Sequence, residues 1–247
     1  MRKFFVLIIL VSFLFCKSFP QLSIEKHNIV FSKIPTQWDE ALMLGNGFIG
    51  ALIWEKDEKL RISLDRSDLW DETFIEDFNI PQFSYYWVYE QWKKKEYDTV
   101  QKLFDLPYEV YPTPTKIPCA AIEFDISDFG ELEYAKIDIK NALCIIKWKK
   151  GITFKAFIHA NKNIGWYRFE GIDKEVKPIL IPPKYGTEKT QINKTSNSVD
   201  GSSLSNLIYP TPIIDYKKGN ITYLQKVKNL YEYKVNINFK WKKNLNE

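Results

Sequence analysis

The chain has 247 residues, 45% hydrophobic and 16% aromatic, with 35 basic against 31 acidic side chains. That is too apolar and too evenly charged for a disordered chain, and it lacks the basic excess of a nucleic-acid footprint. Residues 1–18 hold Arg2, Lys3 and Lys17 and no acid, so without them 32 basic face 31 acidic residues.

Residues 1–18 read as a signal peptide. Arg2 and Lys3 form a positive start, residues 4–15 an apolar run too short to span a bilayer, and Cys16-Lys17-Ser18 puts small side chains where a signal peptidase reads. The expectation is cleavage near Ser18 and export to the periplasm or exterior, with no membrane attachment afterwards. A lipid anchor on Cys16 is an alternative that calls for a small residue where Phe15 stands, and a retained membrane anchor is another. Only Cys119 and Cys144 survive processing. Each lies in an apolar run and reads as a buried free thiol rather than half of a disulfide.

Residues 21–35 open with a strand around Ile29-Val30-Phe31, closed by Pro35. Leu44-Gly45-Asn46-Gly47, followed by Gly50, reads as a sharp turn or as a surface loop presenting Asn46. Residues 49–54 are apolar on both strand faces, which predicts burial on both sides. Leu60, Ile62 and Leu64 alternate with polar residues in a half-buried strand, and charged residues 55–59 form a five-residue hairpin loop between the two. Residues 84–105 predict one helix, with Tyr85, Trp92, Val100, Leu103 and Phe104 on its apolar side and Lys93, Lys94 and Lys95 in water; Pro107 ends it.

Prolines keep residues 112–118 extended. Short strands follow at 121–126, 132–139, 142–148, 152–160 and 164–169, separated by turns at Asp128-Phe129-Gly130, Lys149-Lys150-Gly151 and Asn161-Lys162-Asn163. Residues 182–206 predict a long polar loop. The final strand alternates Tyr231, Tyr233, Val235, Ile237, Phe239 and Trp241 with polar residues, so one face meets a core and the other water. Trp148 and Trp241 read as core. Together these predict a mainly β fold: a large antiparallel β-sandwich (a supersandwich) with one peripheral helix.

Asp65, Asp68, Asp71, Glu72, Glu76 and Asp77 crowd around Trp70. Paired carboxylates beside an aromatic ring suit glycoside hydrolysis, but an acidic run leaving a strand is usually a solvated loop, or a contact with a ligand or neighbouring domain. His27 and His159 have no partners at ligand spacing, so neither metal nor cofactor is expected. No serine or cysteine nucleophile pairs with a histidine by motif. Trp38, Trp70 or the helix aromatics offer faces on which a sugar could stack.

Residues 38–50, Trp-Asp-Glu-Ala-Leu-Met-Leu-Gly-Asn-Gly-Phe-Ile-Gly, resemble the opening of the N-terminal domain of glycoside hydrolase family 95, the inverting α-L-fucosidases and related six-hairpin glycosidases, which are related in turn to the family 65 N-terminal domain. Ser63-Leu64-Asp65-Arg66-Ser67-Asp68-Leu69-Trp70-Asp71, Pro114-Thr115-Lys116-Ile117-Pro118, Gly201-Ser202-Ser203-Leu204 and the tyrosine-rich last strand are similar to later parts of that domain. The resemblance implies that residues 19–247 are a β-sandwich packing on an (α/α)6 barrel. The family's catalytic residues lie in that barrel, and none has a counterpart here. It therefore implies no catalytic residue in this chain, a barrel domain as partner and an oligosaccharide as possible ligand. Trp38, Asn46, Asp65, Arg66, Asp68 and Trp70 are then candidate interdomain or ligand contacts. Phe48 stands where a small or basic residue is expected, and Asp65 where fucosidases tend to have Asn, so the sugar stays open. A carbohydrate-binding module acting in its own right is the alternative reading.

Overall fold

The computed structural model describes residues 23–105, 111–187 and 203–242. The signal-peptide segment, Cys16 and most of the predicted polar loop lie outside the described residues. So do Gly201 and Ser202.

Fifteen strands form four antiparallel sheets among the described residues. The first sheet runs β1 (Ile29–Phe31), β8 (Leu132–Asp138), β9 (Leu143–Trp148), β10 (Thr153–Ile158), β11 (Gly165–Glu170). The second runs β12 (Ile179–Ile181), β7 (Ala120–Asp125), β4 (Lys59–Arg66), β3 (Ile49–Lys56), β2 (Leu42–Gly45). These two face each other as a sandwich. Leu42, Leu44, Ile53, Leu60, Ile62 and Ile122 from one meet Ala135, Cys144, Ile146, Phe154 and Ala156 from the other in a shared core. The alternation of side chains along each strand is what sends these residues inward.

A third sheet joins β13 (Ile213–Lys217), β14 (Asn220–Val227) and β15 (Tyr231–Asn238). A two-stranded ladder pairs β5 (Trp70–Asp71) with β6 (Thr115–Lys116). The β13–β14 hairpin and β12 were not apparent in the sequence. The last strand's alternation is as predicted: Tyr233 and Ile237 are buried while Glu232, Lys234, Asn236 and Asn238 are exposed.

Several local expectations are corrected. The β3–β4 connection is a two-residue turn, not a five-residue loop: Asp57 and Glu58 both take positive φ (51° and 58°), the twist that suits a tight hairpin. Strand β3 is buried on one face only, through Ala51 and Ile53, while Leu52 and Trp54 are half-buried on the other. Trp148 is core, but Trp241 is 39% exposed and lies beyond the end of β15.

The predicted helix is two helices, α1 (Tyr85–Lys94) and α2 (Tyr97–Phe104). Ser84 caps α1 by accepting from Trp87 N–H at 3.3 Å, and Lys95, at φ 63°, closes it in the left-handed conformation. The side facing the protein also differs from the prediction. Phe83 stacks on Phe104 with centroids 4.3 Å apart, and Trp87 leans on the same ring at 6.4 Å, forming a small core of their own. Tyr85 and Trp92, expected on the apolar side, point into water at 75% and 57% exposure.

Candidate functional site

The Gly-Asn-Gly loop, the acidic exit around Trp70, the Thr115–Lys116 strand and the start of β15 meet at one end of the sandwich. The β2–β3 loop is held from within by Asn46. Its Oδ1 accepts from the N–H groups of Phe48 and Ile49, each at 2.9 Å, and Gly47 supplies the positive φ of 87° that the turn requires. Its Nδ2 donates to the carbonyls of His159 and Lys162 at 3.0 and 3.3 Å. All the hydrogen-bonding capacity of the amide goes into stapling this loop to the β10–β11 turn.

Next to it, Ser67 N–H donates to Phe48 O at 2.9 Å, and the Arg66 guanidinium lies 5.0 Å from the centre of the Phe48 ring. Arg66 grips Asp68 through two hydrogen bonds, 2.8 and 2.5 Å, and Asp65 pairs with Lys116 at 2.5 Å. Trp70 keeps its indole N–H on Ser67 O at 3.0 Å while 44% of its surface stays exposed. Five of the six candidate residues, Asn46, Asp65, Arg66, Asp68 and Trp70, therefore share one neighbourhood. Trp38 takes no part in this network; it lies in the 3-10 turn Trp38–Glu40 and is 63% exposed.

Asp65, Asp68 and Asp71 are committed to structure. Asp71 is fully buried: its Oδ1 accepts from Thr73 N–H at 3.0 Å and from the Thr73 hydroxyl, and its Oδ2 accepts from Tyr209 OH at 2.7 Å and pairs with Lys228 at 3.2 Å. Burial pushes the Asp71 carboxyl up, but hydrogen bonds from Thr73 and Tyr209 and the Lys228 charge outweigh it and leave the pKa below its ordinary value. The Arg66 hydrogen bonds likewise hold Asp68 low. A general acid needs the opposite shift. Glu72 and Glu76 are exposed, and the Asp77 side chain lies outside the described residues.

Three tyrosines complete the end wall. Tyr231 OH donates to Trp70 O at 2.8 Å, Tyr233 OH to Cys119 O at 3.0 Å, and Tyr185 OH to Pro118 O at 2.8 Å. Leu69 O accepts from Ile117 N–H at 3.0 Å. The tyrosine spacing in β15 pointed to a buried face, but Tyr209 and Lys228 carried no local signal of their role.

A different kind of surface lies on α1. Tyr85, Tyr89 and Trp92 form a series of rings, with centroids 6.1 and 5.9 Å apart and planes inclined by only 7° and 14°. Lys93 lies 4.3 Å from the Tyr89 ring centre and pairs with Glu90 at 2.8 Å.

No protein-family model matches the chain, and no curated protein matches it.

Proposed function

We propose that this chain is the N-terminal β-sandwich domain of an exported, α-L-fucosidase-like glycoside hydrolase, supporting carbohydrate hydrolysis in the complete architecture while being inactive alone. The observation that carries the reading is the convergence of the family-like segments. The Gly-Asn-Gly loop, the Asp65–Asp71 exit, the Thr115–Lys116 strand and the tyrosine-rich β15 are far apart in sequence and bound together at one end of the fold. Their carboxylates are neutralised by Lys116, Arg66 and Lys228 rather than poised for proton transfer, as befits a rim that meets a barrel. The test is incubation of the purified chain with aryl α-L-fucosides and plant oligosaccharides, and with the isolated barrel of an α-L-fucosidase. No turnover alone, and binding to the barrel, is the expected result; turnover by the chain alone overturns it.

A second reading, carbohydrate binding by the domain itself, is favoured by the exposure of three neighbouring aromatic rings on α1, Tyr85, Tyr89 and Trp92. A glycan array separates the two: a purely supporting domain retains no glycan.

A further inference from the structure

Strand β15 is the longest strand at any sheet margin among the described residues, with eight residues against six for β11, five for β13, four for β2 and three each for β1 and β12. Phe239 donates its N–H to Gly219 O across the β14–β15 ladder. By the alternation of antiparallel pairing, the odd residues of β15 bond β14, and Glu232, Lys234, Asn236 and Asn238 turn their N–H and C=O groups outward. No backbone partner meets these groups among the described residues.

Natural sheets blunt such margins with proline, a bulge, a very short strand or charged side chains, and of these β15 carries only the charges of Glu232 and Lys234. Here residues 231–239 contain no proline, and the eight-pair register with β14 is unbroken. Along the margin, Tyr231, Val235 and Phe239 are only half-buried on the core side.

We infer that β15 pairs antiparallel with β15 of a second copy of this chain, in the register centred on Tyr233. The outward-facing groups of the even residues restrict the choice, because hydrogen-bonded pairs must join even residues to even residues. Centred on Glu232 or on Lys234, the pairing sets like charges opposite each other. Centred on Val235, it sets Lys234 against Asn236; centred on Asn236, it sets Glu232 against Lys240, which lies beyond the end of β15. Centred on Tyr233, Glu232 of each copy opposes the partner's Lys234 twice over, with backbone bonds made at both pairs. The same register lays Tyr231 against the partner's Val235 on the core side, where both are half-buried in the single chain. Glu232 and Lys234 are exposed, so exchanging their charges leaves the core untouched. This inference is independent of the glycosidase reading.

The test is sedimentation velocity of the purified chain over a concentration series. The wild-type chain reversibly doubles its mass as concentration rises. Lys234→Glu and Glu232→Lys each weaken self-association by about tenfold or more, because two attractive pairs become repulsive. An equimolar mixture of the two variants restores it, since each Glu then opposes a Lys. Three results overturn the inference: a wild-type chain that stays monomeric throughout, single variants that associate as the wild type does, or a mixture that fails to recover.

Discussion

The Asp71 carboxylate and the Tyr209 hydroxyl lie 138 residues apart in the chain and 2.7 Å apart in the interior. With Thr73 and Lys228 they tie the short strand β5 to the C-terminal third of the protein. Because Asp71 is wholly buried, each partner lost leaves part of a charge uncompensated. Tyr209→Phe is expected to lower stability by about 1.5 kcal/mol and Asp71→Asn by about 3 kcal/mol in urea unfolding. Equal, negligible effects would show that the clamp is incidental.

The same group sets an acid limit. The fold holds the Asp71 pKa below its ordinary value, so the fold binds fewer protons there than the unfolded chain. Its contribution is complete above the unfolded carboxylate value of about 3.9 and is lost as pH falls through the folded one. The stabilities of wild type and Asp71→Asn should therefore converge in acid and stand furthest apart near neutrality. A gap that stays constant down to low pH would contradict the assignment.

Cys119 and Cys144 are free and buried, and burial pushes both thiols up to about 12. Thiolate is the reactive form, so neither is expected to react with a disulfide reagent near neutral pH until the chain unfolds. Both should then react together, at the rate of unfolding. Fast labelling of Cys119 in the native state would reveal an opening of the β7 end of the sandwich.

Asn46→Asp keeps the acceptor that turns the loop but replaces the donor facing two carbonyls with an oxygen. A loss of about 2 kcal/mol is expected, with faster amide hydrogen exchange in residues 159–164. If exchange there does not change, Asn46 does not staple the two loops.

On α1, the wet and dry faces should respond differently. Trp87→Ala removes a ring packed against Phe104 and is expected to cost about 2 kcal/mol. Tyr85→Ala and Trp92→Ala, both at exposed positions, should change stability by no more than about 0.5 kcal/mol. If the ring series is a sugar platform, the latter pair removes glycan retention in affinity electrophoresis while the protein stays folded.

Much of the fold was legible in the sequence because strand alternation is a local property. The period-2 pattern of residues 231–239 could be satisfied only by a strand with one dry face, and the short apolar runs after Cys119 only by meanders. The helical stretch departs from its sequence pattern for a physical reason. Trp92 is the same residue type as Trp87, Tyr85 differs from Phe83 by one hydroxyl, and nothing local says which aromatics meet Phe104 once Lys95 breaks the helix. The β13–β14 hairpin leaves little trace in the sequence, because alternation is weak among its mixed polar and aromatic residues.

For the candidate site, local residue pattern is enough to mark the distinctive segments: the Gly-Asn-Gly turn, the acidic exit around Trp70 and the tyrosine-rich last strand. It also fixes the chemical types available there. Their use follows from the folded arrangement, because a carboxylate's role depends on which donors reach it and on how much water remains. Asp71 reads like its exposed neighbour Glu72 in sequence. It is a buried clamp because Tyr209 and Lys228 arrive from the far end of the chain, and no local pattern encodes that meeting.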